Sequence, residues 1–140
     1  MGAGAGKRSS SGVEPEIVRA ATLPDLFQKA AVVWMSEFVD LTTIHPGGLR
    51  DRIRAEAPNA EALLAAWMER IHFLFASQNE VFHRFEIRKL TETVIEAEGE
   101  GELFDPGRHR LRAAAPAPTF RIHSLEQTPE GWEAKIDFGV

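Results

Sequence analysis

The sequence predicts an α+β fold in which two amphipathic helices pack on a largely antiparallel sheet. Apolar residues recur at helical spacing in two separate windows, Leu23, Leu26, Phe27, Ala30, Ala31, Trp34, Phe38 and Ala60, Leu63, Leu64, Trp67, Ile71, Leu74. The later half reads instead as alternating runs divided by turn residues. The resulting order, β-α-β-α-β-β-β-β, separates the helices from a closing series of strands, as α+β domains do.

Each element has a local reason. Residues 13–21 are extended, and Pro15, lacking a backbone donor, places this weak strand at an edge or makes it a strand start. Thr22 with Asp25 three residues on is a helix start, giving a first helix over residues 23–39. HPGG at residues 45–48 breaks the chain, after which Leu49, Asp51, Ile53 and Ala55 alternate with Arg50, Arg52, Arg54 and Glu56 in a strand with one wet face. Pro58-Asn59 opens a second helix that ends near Ala76. Residues 81–90 and 93–104 form a hairpin that turns near Thr91 and Glu92. Residues 111–128 are extended, interrupted by Pro116 and Pro118, and TPEG turns into a last strand that begins at Trp132.

Composition narrows the function. The 140 residues are 44% hydrophobic and 26% charged, as in a globular domain able to bury its own core. Residues 1–12 are too poor in apolar side chains to offset ordering entropy and are expected to be a flexible leader, with one domain over 13–140. No apolar run approaches the ~18 residues of a membrane span and no secretory core follows the start, so a cytoplasmic location with no membrane partner is expected. With no cysteine, thiolate chemistry and disulfides are excluded. A net charge of −5 argues against strong direct nucleic-acid binding.

The segments TLPDLFQKAA, EALLAAWMERIHFLFASQNEVFHRFEI, GELFDPGRHRLR, APTF and GWEAKIDF, in that order, resemble the archease family, small proteins that assist RNA-splicing ligases of the RtcB class. The resemblance covers residues 16–140, and FDPGRHRL is its most specific piece. It implies an accessory protein rather than an enzyme, one that promotes guanylation and repeated turnover of its ligase, with a divalent cation (Mg, Mn or Ca) held by carboxylates. This chain departs from the family at those carboxylates. Val13 stands where the resemblance places the acid of a DHTAD-type segment, and Gly139 where it places the penultimate Asp. Pro116, Phe120 and Arg121 stand for the Lys, Tyr and His of its KAxTYH stretch. No resident metal is therefore expected, since hard cations need several oxygen ligands. Glu14, Glu16 and Asp137 are the only weak substitutes nearby. An interaction module without metal-dependent activity is the alternative.

GELFDPGRHRLR also has two readings of its own. As a plain turn, Asp105-Pro106-Gly107 reverses the chain, Phe104 and Leu111 anchor it to the core, and Arg108, Arg110 and Arg112 are solvated. As a functional loop, Asp105, Arg108 and His109, with Arg121, shape a partner-binding surface, and a scaffold role for the loop is the favoured form. Glu96, Glu98, Glu100 and Glu102 share one strand face at a spacing of about 6.5–7 Å, too wide for one ion, and pair with the arginine stripe if the strands are neighbours. If those strands are apart, the arginines would instead face RNA phosphate or an acidic partner. The histidines 45, 72, 83, 109 and 123 lack metal-ligand spacing and are expected on the surface or in turns. No nucleophile-base pair is assignable, and Trp34 and Trp67 are expected in the core.

Overall fold

The computed structural model describes residues 15–46, 48–112 and 119–138. Its elements are β1 (Glu16–Ala20), α1 (Leu23–Ser36), a 3-10 turn (Leu41–Thr43), β2 (Leu49–Glu56), α2 (Ala60–Gln78), β3 (Glu80–Leu90), β4 (Val94–Leu103), β5 (Phe120–Thr128) and β6 (Gly131–Phe138). The expected element order holds throughout and every strand pair is antiparallel. The strands divide into two three-stranded sheets, β1-β6-β5 and β2-β4-β3. Each helix touches both: α1 packs on β1, β3 and β6, and α2 on β2, β3, β4 and β5. The expected leader, together with Val13 and Glu14, lies outside the described residues, as do Pro116, Pro118 and Gly139.

The helix starts follow their caps. Thr22 Oγ1 accepts from the Asp25 N–H at 3.2 Å, and Asn59 Oδ1 from the Ala62 N–H at 2.8 Å, so each satisfies an otherwise orphaned donor. The first helix ends earlier than its apolar spacing predicts, at Ser36 rather than Val39. Residues 38–40 leave it to pair with the 110–112 segment, where the Asp40 N–H donates to the Arg110 carbonyl at 2.7 Å and the Arg112 N–H to the Phe38 carbonyl at 2.7 Å. The second helix runs beyond Ala76 to Gln78 and stops where Asn79 takes a left-handed conformation, φ 60°, its N–H reaching the Leu74 and Phe75 carbonyls.

The helices are locked to each other by two tryptophans. Trp34 Nε1–H donates to the Met68 carbonyl at 2.7 Å, and Trp67 Nε1–H to the Phe27 carbonyl at 3.0 Å. Both rings are buried in the core, as expected, and their polar edges are satisfied there.

On β4 the alternating glycines are a packing device. A Cβ on Gly101 would lie 1.9 Å from the Val81 carbonyl oxygen, and one on Gly99 2.6 Å from the Phe82 ring. The β3 backbone and Phe82 occupy that space. Gly101→Ala is expected to destabilise the fold by about 2 kcal/mol through overpacking, read as a lower urea midpoint. An unchanged midpoint would mean that β3 moves aside freely.

On the solvent face of the same sheet, the acidic and basic stripes are cross-strand neighbours. Arg50, Arg52 and Arg54 oppose Glu100, Glu98 and Glu96. Arg50 Nη1 lies 3.0 Å from Glu98 Oε1, and Arg88 of β3 joins from the other side at 3.1 Å. These exposed pairs are worth little each and make the face a mixed-charge lattice rather than a cationic patch.

Candidate functional site

Glu102, the last of the acidic stripe, behaves differently from the others. It sits near the end of β4 where the chain enters the turn at residues 105–107, and its carboxylate is buried. Four groups of the described structure close on it. The His45 N–H donates to Oε1 at 3.0 Å, His109 Nε2 lies 2.8 Å from the same oxygen, and Arg108 Nη2 reaches Oε2 at 2.5 Å. The fourth is indirect: the Asp105 N–H donates to His109 Nδ1 at 2.9 Å. Because Nδ1 accepts, the proton of a neutral ring is on Nε2, which donates to Glu102. These bonds, first the His45 N–H, then His109, then Arg108, hold the Glu102 carboxyl down at about 2.

The loop is built around this carboxylate. Asp105 Oδ1 accepts from the Gly107 N–H at 2.8 Å and the Asp105 carbonyl accepts from the Arg108 and His109 N–H groups, which makes the turn. Phe104 stacks on His109 at 5.7 Å and meets Phe75 edge-on at 5.8 Å, and Phe75 in turn stacks on Phe38. Farther out, Arg110 Nη1 lies 2.9 Å from Asp40 Oδ2. The Asp40 carboxyl is held below its ordinary range, chiefly by the Thr42 hydroxyl.

Of the predicted partner-binding residues, Asp105, Arg108 and His109 therefore form one cluster. His109 lies in the turn, one of the two places expected for it, but it is not on the surface. Its side chain is fully buried against Glu102, so it shapes the loop from inside. Leu111 is likewise no core anchor: it is 52% exposed, and its segment is held by a backbone bridge to Val39. Arg121 lies elsewhere, on β5, where it opposes Asp137 of β6. Asp137 is buried, with Oδ2 2.6 Å from His123 Nε2 and Oδ1 without a hydrogen-bond partner among the described residues.

A divalent cation is a poor fit to these groups. Glu16 opposes Ile136, so it shares that residue's face of the sheet, whereas Asp137, one residue on, belongs to the opposite face. Glu16 and Asp137 therefore do not converge, and the third substitute, Glu14, lies outside the described residues. Among the described residues no group of three His, Asp or Glu side chains is placed to hold an ion. Asp137 has one open oxygen, with a histidine bonded to the other and an arginine opposite it on β5. That donor set suits a hard cation badly.

Sequence reasoning missed Glu102 as the centre of the loop and assigned it to the solvated stripe. The signal was its position seven residues before His109, with a turn-forming Asp-Pro-Gly between them. The Asp51–Glu80 carboxyl pair beneath the same sheet was also missed. Burial first, then Asp51, push the Glu80 carboxyl up to about 7, and its Oε1 has no hydrogen-bond partner among the described residues.

These features define a small α+β domain of two helices between two antiparallel sheets, with a buried carboxylate spent on fixing a loop. The whole-chain comparison is specific. The model of the Archease protein family (MTH1598/TM1083) matches residues 17–140. The chain is 29% identical over 121 residues to the protein archease of Methanopyrus kandleri, covering 84% of this chain and 86% of that one. It is 27% identical over 119 residues to the protein archease of Methanosarcina acetivorans, covering 82% and 81%. With that of Pyrococcus furiosus the identity is 26% over 119 residues, covering 82% and 83%. The chain belongs to the archease family.

Proposed function

We propose that this chain is an accessory protein of an RNA ligase of the RtcB class, assisting the ligase's guanylation and its turnover without supplying a catalytic group. The family match over residues 17–140 carries this reading. The rigid loop supports it, because a charge-assisted network centred on a buried carboxylate holds one surface shape ready for a protein partner. Asp105 and Arg108, both about half exposed, are the contact residues on that surface, and His109 holds them in place. Arg121 on β5 supplies a second contact.

The accessory action works, on this reading, without a resident divalent ion. Val13 and Gly139 stand at the acid positions that the resemblance implies, and Glu16 and Asp137 lie on opposite faces. A second reading, an interaction module with another partner and no ligase activity, is favoured by the same missing acids.

The test is guanylation and multiple-turnover ligation by a cognate ligase with and without this chain. The expected result is more than one turnover per ligase only when the chain is added, and a loss of at least about tenfold in that stimulation for Arg108→Glu. A wild-type chain that leaves both rates unchanged, with and without added divalent metal, would discard the ligase reading in favour of the second.

A further inference from the structure

Two strand edges face one another across α1. Among the described residues, β1 is unpaired on its outer side in the β1-β6-β5 sheet, and so is β3 in the β2-β4-β3 sheet. Between them runs a groove of about 580 Å³ lined by residues of β1, α1 and β3, including Val32, Val33 and Phe85. Helix α1 reaches up to each edge with one side chain: Lys29 Nζ donates to the Arg19 carbonyl at 2.7 Å and Gln28 Nε2 to the Phe85 carbonyl at 2.6 Å.

Those two bonds show which way the edges point. The Arg19 carbonyl is directed at the groove and away from β6, and in an antiparallel strand the N–H and C=O of one residue lie on the same side and repeat every second residue. The N–H and C=O of Ile17 therefore face the groove as well. Edges of this kind are templates for another strand unless they are covered. Here Ile17 is 46% exposed and Val32 37%, so apolar surface lies open beside a strand edge that no other described strand pairs.

Charge selects the occupant. Among the described residues, Arg19, Lys29 and Arg84 line the groove with Glu16 as its one carboxylate. The carboxylates that pair with Arg19 and Arg84, Glu133 and Glu100, lie outside the lining. We propose that this groove takes an extended segment of a partner protein, with alternating apolar and acidic side chains, as an added strand on β1. Main-chain bonds to Ile17 would give affinity, Val32 and Val33 would take the apolar side chains, and the three cations would select acidic ones.

The probe is a fluorescein-labelled peptide of alternating valine and glutamate, blocked at both ends and titrated with the full chain by anisotropy. The expected result is saturable binding that weakens at least about tenfold with Val32→Glu and with Ile17→Pro, and is lost when lysine replaces glutamate in the peptide. Ile17→Pro removes an N–H that the β6 ladder does not use; Val32→Glu, at an exposed helix position, keeps the test valid if the proline variant fails to fold. No saturable binding, equal binding by Val32→Glu, or equal binding of the lysine peptide would overturn the proposal. So would a concentration-dependent dimer in sedimentation that Val32→Glu dissolves, since the groove would then belong to a second copy. The groove and the Glu102 loop share no residue, so the peptide result and the ligase result can fail independently.

Discussion

Glu102→Gln lowers the stability of the folded chain by about 3 kcal/mol at neutral pH, and the deficit shrinks as the solution is made acid. The folded state holds this carboxyl at about 2 against an ordinary value of 4.5, because the His45 N–H, His109 and Arg108 all favour its ionised form. A depressed pKa contributes stability that is fully present above pH 4.5 and lost as pH falls toward 2. Glutamine cannot ionise, so it lacks that contribution at every pH. Urea melts of both proteins at a series of pH values from neutral to 3 would show it. A gap between the two that does not change with pH would mean that the carboxylate is not held as described. His109→Ala acts on the same network, but it also removes the ring that Phe104 stacks on, so glutamine at 102 is the cleaner probe.

Glu80→Gln works in the opposite direction and is the second large effect. Burial and the neighbouring Asp51 push the Glu80 carboxyl up to about 7, from 4.5. A raised pKa contributes stability that is fully present below pH 4.5 and lost as pH rises through about 7. Above that, the wild-type chain carries a charged carboxylate in a buried place, eased among the described residues by Arg70. Glutamine is therefore expected to raise stability at pH 8 by up to about 3 kcal/mol relative to wild type, with little difference at pH 4. Thermal melts at those two pH values decide it. A variant less stable than wild type at pH 8 would show that the Glu80 charge is compensated in the folded chain.

Both effects arise at residues whose types were plain in the sequence and whose roles were not. Thr22 and Asn59 were legible as helix starts because a cap acts over three residues. The β3-β4 hairpin was legible because alternation and a short turn fix its register, whereas the Arg–Glu lattice was legible only on the condition that β2 and β4 are neighbours, a pairing that their separation by a helix and a strand leaves open. The contact between Glu102 and His109 follows neither periodicity, since a loop of irregular backbone brings them together. Asp51 occupies the inward set of its strand with Leu49, Ile53 and Ala55, a warning of a buried acid, but its partner Glu80 lies beyond a whole helix. The end of the first helix was misplaced for a similar reason: Phe38 keeps the apolar spacing and is buried, yet its carbonyl is taken by Arg112, which no local pattern reveals. The division into two sheets depends on which strands pair, and the alternation of single strands does not encode it.

On the function proposed above, an archease framework with its loop intact works without gripping a divalent cation. Calorimetric titration of the full chain with Mg²⁺, Mn²⁺ and Ca²⁺ tests this most directly. The expected result is no saturable heat up to millimolar ion. One-site binding that disappears in Asp137→Asn would contradict it.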